Sequence, residues 1–205
     1  FHASVIHSRR RFTYGEAFAI LQRPPVNPLE RMLHETHQLA QVIRRNRFKQ
    51  GALALDFPER KIRLDEAGRV ARIEKIENDV SHQLIEEFML AANEAVAKAI
   101  KDARVPGIYR VHEDPDATKL AEYAVLAASS GLRTGDLTQR AELQRLLAAA
   151  KGRPDEHALK LGLLKSLKRA VYSAEPIGHY GLAKGDYCHF TSPIRRYADL
   201  IVHRA

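Results

Sequence analysis

The chain has 205 residues, of which 45% are hydrophobic and 28% charged; this composition is that of a globular domain and excludes a disordered or collagen-like chain. Thirty-three Lys and Arg against 25 Asp and Glu give a net charge of +8, which favours a polyanionic partner, nucleic acid before membrane. A single cysteine excludes an internal disulfide and indicates a reducing compartment, so we expect a cytoplasmic protein. Apolar runs are short, so we expect no membrane span.

The N-terminal quarter of the chain predicts one short strand and two helices. Residues 3–8 have the composition of a strand. Thr13 and Glu16 have the spacing of a capping box at the start of a short helix. A longer helix is predicted to begin after Asn27, its N-cap, and to end at Gly51.

The rest of the chain predicts a modest sheet and further helices. An apolar period of two predicts strands at 52–55, 62–64 and 70–76, with a hairpin loop at 65–68. A long helix follows, capped by Asn78 or Asp79 and ended by the Pro-Gly pair at 106–107. Beyond it we predict a strand at 108–112, helices at 117–129, 137–150 and 155–171, a loop and strand region at 172–190, and a helix from Pro193. The predicted fold is a single mixed α/β domain over 1–205, a sheet flanked by helices.

The most informative stretch lies close to the C-terminal end of the chain. Ser192 suits an N-cap and Pro193 the first helical position, so free backbone N–H groups would lie beside Arg195 and Arg196. A helix N-terminus with a guanidinium fork is a phosphate-binding arrangement. The alternative is an amphipathic helix whose arginines are solvated or paired with Asp199. Its predicted buried face consists of Ile194, Tyr197, Ala198 and Ile201.

Four further residues are candidates for a site. Glu86 neighbours the apolar stripe of the long helix and could lie at the edge of a cleft, although adjacent carboxylates such as Glu86 and Glu87 are also typical of a solvated face. Asn93 interrupts the same stripe, and a buried Asn needs a specific partner. Tyr14 and Phe57 stand in basic or loop-rich surroundings typical of base stacking, unless they are core residues.

Metal ligands and a side-chain nucleophile are not indicated by any pattern. His34 and His37 share a helix, but no carboxylate or cysteine completes a ligand set, so we interpret them as structural. The aspartates are scattered singly, without a cluster that would hold catalytic Mg²⁺. Cys188 has no base beside it in a nucleophile motif, and Ser192 stands in no nucleophile elbow.

Several segments together resemble the RNB family of ribonuclease II and ribonuclease R, and they lean towards the ribonuclease R branch. The closing signature, residues 179–183 and 187–200, is highly specific. Supporting matches extend back along the chain to the strand segment 107–113, the helix segment 84–93 and the opening segment 4–14. The resemblance covers essentially the whole chain. It implies the later part of an RNB-type catalytic domain.

The resemblance implies a hydrolytic 3′→5′ exoribonuclease that threads single-stranded RNA into a channel and releases nucleoside 5′-monophosphates using Mg²⁺. Position by position, Arg195 matches the arginine that grips the scissile phosphate, Tyr14 the tyrosine that packs on the terminal nucleotide, and Glu86 a glutamate at the RNA 3′ end. Phe57 is the nearest match to the base-clamping aromatic. We also predict RNA contacts by Arg196, Ser192 and His179.

One feature of that family is missing from the chain. Its metal-binding aspartates precede the segment that starts here, and the flanking OB-type and S1-type domains are also absent. We therefore expect no metal ligand within this chain, an Mg²⁺ held by residues outside it, no other small-molecule cofactor, and no activity of the segment alone. Two alternatives stay open: a non-catalytic RNA-binding module of the same fold, and a basic helical scaffold without a nucleic-acid partner.

Overall fold

The computed structural model of the chain describes residues 4–57, 59–76 and 78–205. Within them lie seven α-helices and four short strands, which confirms the predicted mixed α/β class. The helices are α1 (Tyr14–Leu21), α2 (Pro28–Lys49), α3 (Val80–Asp102), α4 (Ala117–Ser129), α5 (Arg140–Ala150), α6 (Glu156–Ser166) and α7 (Tyr197–Arg204). The strands are β1 (Glu59–Leu64), β2 (Val70–Ile76), β3 (Tyr109–Val111) and β4 (Val171–Ser173), and a 3₁₀ helix covers Tyr180–Leu182.

The strands pair as two separate antiparallel ladders over the described part of the chain. Ile62 of β1 lies opposite Ile73 of β2, on either side of the predicted hairpin loop, and Val111 of β3 lies opposite Val171 of β4. The structure has no strand at 4–8 or at 52–55, so the strands predicted at 3–8 and 52–55 are wrong over these residues. Ala3 lies outside the described residues. The segment 52–55 is held by the 3₁₀ helix and not by a strand, since the Leu53 N–H donates to the Gly181 carbonyl.

Three of the four helix starts predicted from local capping patterns are confirmed. Thr13 and Glu16 form the complete capping box, with the Thr13 N–H donating to the Glu16 carboxylate at 2.7 Å and the Glu16 N–H donating to the Thr13 hydroxyl at 3.2 Å. The Asn27 side chain accepts from the Glu30 N–H at 2.9 Å. Of the two candidates for α3, Asp79 is the cap. These bonds satisfy N–H groups that have no partner inside the helix.

Two apolar clusters hold the helices in place. One joins α4, α5 and α6 around fully buried leucines, among them Leu143, Leu146 and Leu163. The other joins α3, β3, α7 and the segment before α7 through Val96, Ala97, Val111, Cys188 and Val202. Since α2 packs along α3, its arginines lie against the acidic residues of α3. Among the described residues, no helix is both long and apolar enough to cross a membrane.

Three predicted helix boundaries differ from the structure. α5 begins at Arg140, three residues after the predicted start. α6 ends at Ser166 and not at 171, because Leu167 is extended (φ −80°, ψ 147°) and the following residues form β4. α7 begins at Tyr197 and not at Pro193, for a reason that lies in the site itself.

Candidate active site

A cleft of about 440 Å³ collects four of the predicted site residues. Tyr14 and Phe57 line it from α1 and from the segment before β1, Glu86 lines it from α3, and Arg196 lines it from the loop before α7. These residues are far apart in sequence, and the packing of α1 on α3 brings Tyr14 towards Glu86. The cleft therefore combines aromatic rings, a carboxylate and a guanidinium in one cavity.

The aromatic wall of the cleft is a stack of two rings. Tyr14 lies on His82 with the ring centroids 3.9 Å apart and an interplanar angle of 15°. Tyr14 is 47% exposed and lines the cleft, so part of its surface is open. Phe57, also on the cleft, meets His157 edge-on at 5.7 Å. Tyr14 offers the flat, partly open surface that a nucleobase can cover.

The two adjacent glutamates of α3 lie in opposite environments. Glu86 lines the cleft and is partly exposed, with the Asn78 amide 3.4 Å from one carboxylate oxygen and Arg47 3.5 Å from the other. Glu87 is fully buried and accepts hydrogen bonds from Arg47 at 2.5 and 3.0 Å and from Arg44 at 3.0 Å. Glu86 therefore fits the predicted cleft edge, whereas the solvated-face interpretation is wrong for Glu87.

Asn93 joins α3 to the segment that carries the two arginines. It is buried, its side-chain oxygen accepts from the Phe190 N–H at 2.9 Å and the Thr191 N–H at 3.2 Å, and its amide donates to the Tyr187 hydroxyl at 3.0 Å. The prediction that this Asn has a specific partner is confirmed. Two backbone N–H groups and one side-chain hydroxyl of one segment are thereby fixed relative to the helix that bears Glu86.

The second anchor of this loop is Asp199 of α7, which is fully buried. One of its carboxylate oxygens accepts from both the Ser192 N–H and the Arg196 guanidinium at 2.7 Å. Burial alone would raise the pKa of Asp199, but the hydrogen bonds from Arg196 and Ser192 outweigh it and lower the pKa. The predicted pairing of Arg196 with Asp199 is confirmed.

This anchor explains why the predicted start of α7 is wrong. Ser192 does not cap the helix: its N–H binds Asp199, and its carbonyl accepts from the N–H groups of Arg195 and Arg196 in a tight turn. Arg196 is then extended (φ −124°, ψ 116°) and becomes the N-cap residue, without a side-chain cap bond. The predicted buried face is wrong as well, since the helix buries Asp199 and Val202 while Ile194 and Tyr197 are 102% and 72% exposed.

The other predicted site residues lie outside the cleft. Arg195 is exposed, and its guanidinium makes no ion pair or hydrogen bond with any residue that the structure describes. Its neighbour Ser192 is half-buried in the same turn. His179 lines a separate concavity of about 660 Å³. Burial, followed by the nearby His112, lowers the pKa of His179 to about 3, so its ring is neutral at physiological pH.

A magnesium site is not formed by the described residues. Across 4–57, 59–76 and 78–205 there is no group of three or more His, Cys, Asp or Glu that could hold a metal ion. The two carboxylates on the cleft already face cations, Asp56 at 3.8 Å from Arg44 and Glu86 at 3.5 Å from Arg47. The donor set of these described residues therefore does not fit Mg²⁺.

Comparison with known sequences decides the family. A model described as the RNB domain matches residues 1–205. The chain belongs to this family. Ribonuclease R of Aquifex aeolicus is 39% identical over 215 residues, which cover 99% of this chain and 30% of that protein. Ribonuclease R of Escherichia coli is 36% identical over 212 residues, which cover 100% of this chain and 26% of that protein. The predicted family resemblance is confirmed.

Solved structures agree with the RNB assignment. Ribonuclease R of Mycoplasma genitalium, in complex with ribose-methylated single-stranded RNA, superposes with a TM-score of 0.86 at 28% identity, over 95% of this chain and 31% of that one. Yeast Ssd1, a pseudonuclease, shares the fold with a TM-score of 0.68 at 22% identity, over 94% of this chain and 24% of that one. The chain thus spans less than a third of the length of these relatives.

Three features of this RNB chain were missed by sequence reasoning. They are the ring of His82 behind Tyr14, the buried cluster of Glu87 with Arg44 and Arg47, and the bond from the Ser192 N–H to Asp199. A signal for His82 was present, because it stands four residues before Glu86 and so shares its helix face. The other two depend on long-range or loop contacts, for which the local pattern holds no signal.

Proposed function

We propose that this chain is the RNA-gripping part of a hydrolytic 3′→5′ exoribonuclease that degrades single-stranded RNA to nucleoside 5′-monophosphates. The observation that carries the proposal is the cleft itself, where Tyr14 and Phe57 face Glu86 and Arg196. Membership of the RNB family and the likeness to RNA-bound ribonuclease R support it. These relatives support RNA degradation in general, and the activity, its direction and its products are all part of our proposal.

Each group on the cleft suits one part of a ribonucleotide. The open surface of Tyr14 can stack a terminal base, with Phe57 as the second aromatic contact. The Glu86 carboxylate is an acceptor, and the ribose 2′- and 3′-hydroxyls are donors that DNA offers only in part. The Arg196 guanidinium, oriented by Asp199, can donate to a phosphate. A single-stranded RNA 3′ end matches all three.

The turn beside the cleft supplies a second cation. Since the Arg195 guanidinium is exposed and has no described partner, its donors are available to a phosphate. We propose that Arg195 stabilises charge on the scissile phosphate, whereas Arg196 mainly binds. Ser192 and His179 remain proposed RNA contacts: Ser192 through the same turn, His179 as a neutral donor or acceptor.

The metal and the cellular compartment belong to the proposal as well. We propose that cleavage depends on Mg²⁺ with ligands outside this chain, and that the protein acts in the cytoplasm. The net charge of +8 supports binding of a polyanion. RNA affinity should therefore fall steeply across a salt series, because phosphate contacts release counterions; a flat response would contradict the basic binding surface.

The experiment is a digest of a 5′-labelled, unstructured oligoribonucleotide by the full-length gene product. We expect stepwise shortening from the 3′ end, release of nucleoside 5′-monophosphates, loss of activity in EDTA, and no digestion of DNA of the same sequence. If the protein binds RNA tightly but leaves it intact with Mg²⁺ present, the exoribonuclease interpretation is wrong and the chain belongs to a non-catalytic RNA-binding module. Failure to bind RNA would leave only a basic scaffold.

A further inference from the structure

The stacking surface of the cleft has a support behind it. The rings of Tyr14 and His82 are nearly parallel with centroids 3.9 Å apart, which is van der Waals contact and leaves no space for a base between them. Both residues line the cleft. A base that stacks on Tyr14 must therefore lie on the face that His82 does not cover.

His82 is itself held in one orientation. Its Nδ1 lies 3.0 Å from a carboxylate oxygen of Asp79, and since a carboxylate only accepts, this nitrogen carries the proton. Burial alone would raise the pKa of Asp79, but hydrogen bonds from Ser81 and His82 outweigh it and lower the pKa. Asp79 also caps α3, so the imidazole is fixed to the start of a 23-residue helix.

Tyr14, in contrast, stands at the end of a short helix. It is the first residue of α1, a helix of eight residues, and it follows a segment without helix or strand. A half-exposed ring at such a position would sample several rotamers, and a base that binds it would have to select one of them. Contact with His82 removes that freedom before RNA arrives.

We propose that His82 is a positioning residue that fixes, through Tyr14, the place where the terminal base of the RNA stacks. The inference rests on the proposed function, since it assigns the platform to RNA. His82 touches the ring of Tyr14 and not the reacting phosphate. Its loss should alter where the last base stops, and therefore the length of the shortest product, more than the rate on long RNA.

The first test is a digest by the full-length protein, with limit products resolved on a denaturing gel. His82→Ala should shift the limit product in the same direction as Tyr14→Ala, while His82→Phe, which keeps a flat ring against Tyr14, should restore the wild-type length. Gln83→Ala is the matched control: Gln83 is half-buried on the same turn of α3, bonds the Asn78 carbonyl and does not line the cleft. It should leave the ladder unchanged.

The second test needs no cleavage. A short oligoribonucleotide with 2-aminopurine as its 3′ base, bound in EDTA, should lose fluorescence on stacking with the wild-type protein. His82→Ala should retain more fluorescence and bind about fivefold more weakly, the factor for a stack worth about 1 kcal/mol. His82→Phe and Gln83→Ala should match the wild type. In the Tyr14→Ala background, His82→Ala should change nothing further, because it acts through that ring.

Each outcome decides one question. A wild-type ladder and wild-type quenching in His82→Ala would overturn the inference while leaving the exoribonuclease intact. So would a His82→Phe variant that behaves like His82→Ala at an unchanged melting temperature, because the ring contact would then not be the cause. Quenching by the wild type without any RNA shortening would instead refute the proposed function and leave the platform standing.

Discussion

Glu87 offers the sharpest test of how the cleft is supported. Its side chain is 1% exposed, and its carboxylate receives three hydrogen bonds, of 2.5 and 3.0 Å from Arg47 and 3.0 Å from Arg44. Arg47 is 5% exposed and Arg44 21%. Glu87→Gln keeps the shape of the side chain but removes its charge, so Arg47 would stay buried without its main counter-charge.

The cost follows from that burial. Removal of one partner from a buried ion pair costs about 3–5 kcal/mol, because the remaining charge is uncompensated. Arg47 retains a weak contact to Glu86 at 3.5 Å, which offsets part of the loss. We therefore expect a value near the lower limit, about 3 kcal/mol, which corresponds to roughly a hundredfold change in an opening equilibrium.

Hydrogen exchange of the full-length protein measures this loss where it occurs. Peptides from α2 and α3 should exchange roughly a hundredfold faster in Glu87→Gln, while peptides from α4 and α6, which pack on each other, should change much less. Glu122→Gln is the control, since Glu122 is exposed on α4 and has no ion pair with any described residue. A Glu87→Gln protein whose α2 and α3 peptides exchange as in the wild type would refute the reasoning.

Three further predictions follow from the loop before α7 and its neighbours. Arg195→Ala should slow single-turnover cleavage on the order of 10²- to 10³-fold with most RNA binding retained, and Arg195→Lys should rescue little; a loss of this size in Arg196→Ala instead would exchange the two assignments. Burial lowers the pKa of His179 to about 3 and that of His189 to about 4, so below the ordinary value of 6.5 the unfolded chain binds more protons than the folded one. The free energy of unfolding should therefore fall as the pH drops from about 7 to 4. The loss should be at most about 1.4 kcal/mol per pH unit for His179 and less for the more exposed His189. In His179→Gln, the melting temperature should depend less on pH over this range. Burial raises the pKa of Cys188 to about 12, so a maleimide should label this thiol only after unfolding, and rapid labelling of the native protein would contradict its packing.

Local chemistry made much of the fold predictable. The helix starts at Thr13, Asn27 and Asp79 depend on a side chain and an N–H group two or three residues away, and all three are confirmed. The hairpin loop at 65–68 is equally local, with Asp65 accepting from the Ala67 and Arg69 N–H groups. Such contacts are complete within a few residues, so the sequence pattern contains them.

Tertiary contacts account for most of what the sequence did not predict. Ser192 has the chemistry of an N-cap, but Asp199 captures its N–H and delays the helix until Tyr197. Glu87 looks like half of a solvated acidic pair until α2 places Arg47 against it, 40 residues away in the chain. Tyr14, Phe57 and Glu86 could be named from the family pattern and Arg196 from the local pattern. Their meeting in one cleft depends on tertiary packing, including that of α1 on α3.

α3 fixes the orientation of the two sides of the cleft relative to each other. Glu86 lies by the aromatic wall and Asn93 holds the arginine loop, and their spacing of seven residues is close to two full turns of an α-helix, about 7.2 residues. One residue inserted between them would rotate Asn93 by about 100° and carry its amide away from the loop. A single-residue insertion or deletion between them should therefore disable the cleft even at the half-buried positions of this interval, where we expect a substitution to cost less than at the buried Glu87 and Leu90.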